Sequence, residues 1–206
     1  MGTSRLYCLC RLRTLILVLY VNEGGNSSYM TAYPLVNSNY YVVAKTWYAE
    51  EMTRPGCVWT HSLLIPFDAL NNMDDFKQLN NLFVRPVSIE NLDSFLQTID
   101  YELKNISPED YIPLSVNRGI AGGILDSFVY DRNTPIYLKS MKDKELIEAC
   151  LLSIMNVFPL AFLIEFSWCT GSAYKRKLNG APLICHFFSQ EINGPCAKVR
   201  GRVSHA

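Results

Sequence analysis

The stretch Tyr40–Ile65, YYVVAKTWYAEEMTRPGCVWTHSLLI, decides the reading of the fold. Tyr40 to Trp47 is β-branched and aromatic and holds no helix breaker, so it reads as a strand; Trp59 to Ile65 reads as another. Between them, Glu50-Glu51-Met52-Thr53-Arg54-Pro55-Gly56 carries the turn signal Pro-Gly. Two strands joined by such a loop predict an antiparallel pair.

Downstream the period changes. Leu70, Met73, Phe76, Leu79, Leu82 and Phe83 fall near helical spacing, which predicts a helix over 67–83 ending before Pro86. Ser88 is placed to cap a second helix, with Ile89, Leu92, Phe95, Leu96, Ile99 and Leu103 on one face. Residues 105–118 hold two prolines and read as a loop; Gly122–Tyr130 reads as a short helix and Pro135–Leu138 as a short strand. Lys142–Phe158 predicts a further helix, apolar nearly all round in its second half and stopped by Pro159; Leu160–Trp168 reads as a strand. Upstream, the apolar run Leu15–Val21 is too short to cross a membrane and lacks a convincing cleavage site after it, so a buried strand is favoured over a signal peptide. The sum is an α+β fold, mostly antiparallel strands with three or four helices packed on them.

With 206 residues, the chain is long enough for one ordinary domain. At that size folding buries about 70% of the surface exposed by the unfolded chain. Nineteen Lys and Arg balance nineteen Asp and Glu, so bulk charge calls for neither nucleic acid nor a membrane surface. Locally the balance is uneven. Residues 68–110 hold nine acids against three bases, and from Gly171 onward six bases face only Glu191. Seven cysteines, odd in number and without a C-x-x-C, suit free thiols in a reducing cytoplasm better than a disulfide scaffold.

Few constellations carry chemistry. Cys57 and His61 stand four apart, and strand alternation puts both on one face, which leaves a thiolate–imidazole pair open beside the alternative of a buried thiol and a core histidine. A zinc site would have to add Cys169, Cys185 and His186, but adjacent Cys185 and His186 point opposite ways on a strand. There is no phosphate-loop or dinucleotide fingerprint. Gly119-Ile-Ala-Gly122-Gly123 before an apolar helix, and Cys169-Thr170-Gly171-Ser172 after a strand, are glycine-rich turns that offer backbone N–H groups to an anion. No cofactor is expected.

Two segments are more specific: Tyr33-Pro34-Leu35 with Tyr40–Ile65, and Phe166–Arg176, FSWCTGSAYKR. Together they resemble the N-terminal domain of the bacterial GTPase-associated proteins, large partners of a GTPase in conflict (anti-phage-type) systems. The shared core is T-W-x-A-x-E-M-x-R-P-G-C-V-W-T-H-x-L-L-I, followed later by F-x-F-C-T-G-S; here Trp168 stands where the family tends to have Phe. The resemblance covers residues 30–182. It leaves 1–29 as an unmatched leader and 183–206 as an unmatched basic tail, so that the chain reads as truncated at both ends. It implies a non-enzymatic adaptor with protein partners, a nearby GTPase among them; the neutral charge balance in turn predicts no nucleic-acid or membrane partner. It implies structural roles for the motif: Trp47 and Trp59 as core aromatics, Arg54-Pro55-Gly56 as a fixed turn, and Cys57, His61, Cys169, Thr170, Gly171 and Ser172 as framework. The other readings are an enzyme centred on Cys57 and His61 and a non-functional gene fragment.

Overall fold

The computed structural model describes residues 4–14, 28–52, 57–70, 73, 76–86, 98–101, 118–130, 135–138, 144–172, 177–178, 181–182 and 185–188. Its frame is an antiparallel hairpin, β3 (Tyr40–Tyr48) with β4 (Cys57–Pro66), in register from Tyr40↔Pro66 to Tyr48↔Val58. On its flanks β1 (Ser4–Thr14) pairs with β4, and β2 (Ser28–Pro34) with β3, both antiparallel. Alternation is visible in β4, where Cys57, Trp59, His61, Leu63 and Ile65 are buried on one face. The more central β3 is buried on both faces from Tyr41 to Ala44, as an interior strand should be.

The sheet continues in both directions. β5 (Thr98–Tyr101) adds to β1, while β7 (Trp168–Ser172) adds antiparallel to β2. Beyond β7 the direction changes: β10 (Cys185–Phe188) runs parallel to β7 and to β6 (Ile136–Leu138). The order is β5-β1-β4-β3-β2-β7-β10-β6, a mixed eight-stranded sheet dominated by antiparallel pairs; β8 (Lys177–Leu178) and β9 (Ala181–Pro182) form a separate pair. The α+β expectation holds. The stretches set apart as leader and tail contribute β1 and β10 to this sheet.

The helical elements are α1 (Phe67–Leu70), a 3₁₀ helix (Phe76–Leu82), α2 (Arg118–Tyr130), α3 (Lys144–Val157) and α4 (Leu160–Leu163). Their apolar faces share one core with Met30 and Ala32 of β2, Tyr41 and Val43 of β3, and Leu63 and Ile65 of β4. Inside it Phe128, Phe158, Phe162 and Phe166 stack edge-on or tilted with centroids 5.0 to 6.1 Å apart. The fully buried Tyr41 donates its hydroxyl to the Phe166 carbonyl at 2.8 Å. Burial lifts that phenol far above its ordinary pKa.

Several expectations are corrected. The single helix over 67–83 is instead α1 and the 3₁₀ helix, joined at the buried Met73. The apolar residues Leu70, Met73, Phe76, Leu79 and Leu82 repeat every three positions, which is the 3₁₀ period and not 3.6. The helix expected from Ser88 to Leu103 fails at its end, because Ile99 lies on β5, where pairing with β1 overrides the weak local pattern. The remainder of that expectation, the loop over 105–117 and the Leu15–Val21 run lie outside the described residues.

Leu160–Trp168 is not one strand. Pro159 ends α3 and also starts α4, its carbonyl accepting from the Phe162 and Leu163 amides at 2.8 and 3.0 Å; the strand begins only at Trp168. The glycines from Gly119 to Gly123 form no loop before a helix, since α2 already begins at Arg118.

Gly122 thus sits inside α2, and a Cβ placed there meets nothing within 4 Å. Gly122→Ala removes the backbone freedom of the unfolded chain without a clash. We expect it to raise unfolding stability by about 0.5–1 kcal/mol, read as a higher urea midpoint at unchanged slope.

Candidate functional site

At the loop end of the β3–β4 hairpin, Trp47 stands opposite Trp59. Trp59 is fully buried, and Ala49 and Cys57 are buried with it, while Trp47 and Met52 pack around them half-buried. The Ala49 amide donates to the Cys57 carbonyl at 3.0 Å and extends the ladder, and the Met52 amide turns back to the Ala49 carbonyl at 3.2 Å. A buried indole N–H needs an acceptor. Glu51 supplies it, taking the Trp59 Nε1–H on its Oε1. The other carboxylate oxygen of Glu51 takes an Arg85 Nη2–H at 2.6 Å, and the same guanidinium nitrogen donates to the Tyr48 carbonyl at 3.0 Å. Partial burial pushes the Glu51 carboxyl up, but its backbone bond, Trp59 and Arg85 outweigh this and hold it below the usual carboxylate range. On the opposite face of the same hairpin the Thr46 and Thr60 hydroxyls bond to each other at 3.0 Å.

Two residues along β4, the buried His61 faces the segment that leaves the 3₁₀ helix. Its Nδ1 accepts the Val84 amide at 3.0 Å, and the Phe83 ring meets it edge-on at 5.7 Å. An Nδ1 that accepts is unprotonated, so the neutral ring carries its proton on Nε2. Burial lowers the imidazole pKa from 6.5 to about 4. Lys45, the register partner of His61, donates to the Asn80 side chain at 3.0 Å and ties the 3₁₀ helix to the same hairpin.

This placement answers the Cys57–His61 reading. The two do share a face, yet four residues of strand separate them by about 13 Å. The Trp59 side chain occupies the same face between them. No thiol–imidazole contact follows, because same-face spacing on a strand does not bring residues together as it does on a helix. For the zinc reading, no three His, Cys, Asp or Glu residues gather among the described residues. Cys169 is buried on β7, where its sulfur accepts the Thr31 hydroxyl at 3.4 Å. Cys185 and His186 pair in register with Trp168 and Cys169 from β10.

In the C-T-G-S segment, Thr170 takes the Met30 amide on its hydroxyl oxygen at 2.8 Å and lies 2.8 Å from the Glu148 carboxylate of α3. Gly171 is required by close approach: a Cβ there would overlap the Tyr29 Cβ and come within 2.8 Å of its Cγ. Ser172 closes β7 in register with Phe188. Arg54, Pro55 and Gly56 lie outside the described residues. Sequence reasoning missed Arg85 and Glu148 as partners of these motifs and saw Glu51 only as a letter of one; the signal available for Glu51 was a buried tryptophan eight residues away that needed an acceptor.

Two outcomes follow. Gly171→Ala forces Tyr29 or the β2–β7 pairing to move, and should cost about 1–3 kcal/mol in urea unfolding. For His61 the folded pKa lies below the unfolded one, so its contribution is complete above about 6.5 and is lost as the pH falls through about 4. The loss is on the order of 3 kcal/mol. The lowered Glu51 carboxyl acts below the ordinary carboxylate pKa, a separate window. His61→Asn keeps an acceptor for Val84 without titrating, so urea midpoints measured from pH 7 to 4 should lose most of their slope in that variant.

Comparison with known proteins places these features. Residues 20–83 match the family described as GTPase-associated protein 1, N-terminal domain type 1. No curated protein and no solved structure matches. The matched segment holds β2, β3, β4, α1 and the 3₁₀ helix; α2, α3 and β7 follow it in the chain. The resemblance carried by Tyr33–Ile65 is thus sustained: over residues 20–83 this chain is similar to the N-terminal domain of the GTPase-associated proteins.

Proposed function

We propose that the chain is a non-enzymatic adaptor or regulatory module that acts through protein partners, a GTPase first among them, in a bacterial conflict system of the cytoplasm. The observation that carries this reading is the coincidence of the family match with the internal use of the motif's polar groups. The Glu51 oxygens are taken by Trp59 and Arg85, His61 Nδ1 by the Val84 amide, and the Thr170 hydroxyl by Met30 and Glu148. A catalytic constellation instead needs a nucleophile and base within hydrogen-bond reach of each other. On this reading the motif residues, Trp47, Cys57, Trp59, His61 and Cys169 to Ser172, serve the framework, and the resemblance extends the same role to Arg54, Pro55 and Gly56, which lie outside the described residues.

The same reading extends the domain beyond the matched segment, over residues 30–182. Support comes from β7, which pairs with β2, and from Asn156 of α3, which accepts the Phe76 amide at 2.8 Å. No helix among the described residues is long and apolar enough to cross a membrane.

The test is co-purification of the full chain with the GTPase encoded beside it, read by size-exclusion chromatography and calorimetry. A stoichiometric complex is expected, retained in Cys57→Ala. A cooperatively folded chain that binds no such GTPase, or a Cys57 thiol that alkylates faster than free cysteine, would overturn the proposal.

A further inference from the structure

Among the described residues, Glu148 is the only carboxylate buried in the fold, at 6% exposure. It lies on α3, whose neighbouring turns are apolar: Ile147, Leu151, Leu152 and Met155 are buried around it. A carboxyl group in such a place costs stability unless it is bonded, and apolar residues of similar size commonly serve a core equally well. Its place is the seam of the sheet. There the antiparallel half meets the parallel half, joined by only two backbone register pairs, Thr31↔Cys169 and Ala32↔Trp168.

Past those pairs the ladder is continued by side chains. The Met30 amide donates to the Thr170 hydroxyl oxygen at 2.8 Å. A hydroxyl has one proton to give. Its possible acceptors are Glu148 Oε1 at 2.8 Å and the Met30 carbonyl at 3.4 Å. The shorter bond to Glu148 prevails, which leaves the Thr170 oxygen to accept from the Met30 amide. Two helical turns further on, Met155 sulfur accepts the Trp168 indole N–H at 3.4 Å. Helix α3 is thus seated along β7 at two points, Glu148 on Thr170 and Met155 on Trp168.

We infer that Glu148 is a positioning residue that sets the register of β7 against β2 and the seating of α3 upon them. The inference concerns the seam and stands independently of any partner.

Native-state amide exchange on the full chain tests it. Glu148→Gln retains an acceptor for Thr170 and should leave Met30 protection within about threefold of the parent. Glu148→Met fills the space without an acceptor; it should lower protection of Met30 roughly tenfold or more relative to the β3–β4 ladder amides. If Glu148→Met does not fold, Glu148→Asp carries the comparison. Its carboxylate is one methylene too short for Thr170, and it should show the same selective loss. Protection that falls equally in seam and hairpin, or does not fall, would assign Glu148 a merely stabilising role and overturn the inference.

Discussion

The buried indole of Trp59 is the constraint on which the hairpin and its surroundings depend. Full burial of so large a side chain contributes strongly to a domain whose net stability is only about 5–15 kcal/mol, but it brings an N–H that water can no longer reach. Glu51 satisfies it, which fixes the loop leaving β3. The carboxylate then faces Arg85, and Arg85 also reaches the Tyr48 carbonyl. That grip sets the path of residues 83–86, so that the Val84 amide arrives at His61. Each step creates the polar group that the next one satisfies. At half-exposed Glu51 and Arg85 the ion pair itself contributes little; its effect lies in the geometry it selects.

The seam between β2 and β7 is governed by a different requirement. Trp168 faces the common core with Met30 and Ala32, while Cys169 and Tyr29 form a small cluster of their own. For the two strands to approach there, one position must lack a side chain, and Gly171 against Tyr29 is that position. The C-T-G-S segment therefore reads as three answers to one packing problem. A small thiol meets the Thr31 hydroxyl, a hydroxyl bonds across to Met30, and a glycine admits the Tyr29 ring. None of the three requires an anion.

What the sequence disclosed and what it hid divide along the range of the interactions. The β3 and β4 strands were legible from β-branched and aromatic runs bounded by Pro-Gly, because local pattern and long-range pairing agree there. The helix α3 was legible for the same reason. The strand at Ile99 was not, since its four residues are fixed by β1 more than ninety positions away. At Leu160 an apolar run fitted strand and helix equally, and the deciding signal, Pro159 as a helix start, was read only as a helix stop. The every-third spacing from Leu70 to Leu82 was present in the sequence and assigned the wrong period. In the site, residue types were legible and partners were not: nothing near Trp59 or Thr170 in sequence announces Arg85 or Glu148.

A motif as specific as R-P-G-C-V-W-T-H invites a catalytic reading, and the polar groups that the structure describes in and around it bond to one another. Specificity of sequence arises wherever several groups must satisfy one another in a confined space, whether or not a substrate is present. Thr46 and Thr60 need each other, Trp59 needs Glu51, and His61 needs an N–H donor together with an aromatic edge. A histidine held neutral well below physiological pH gains nothing from being titratable; it is used as a rigid, planar acceptor. Among the described residues of the motif, the polar side chains Thr60 and His61 and the Trp59 indole N–H all find partners within the fold. In the adaptor role proposed above, a partner would read the shape of the surface that these bonds hold in place, and the residues making them would act on binding through that shape.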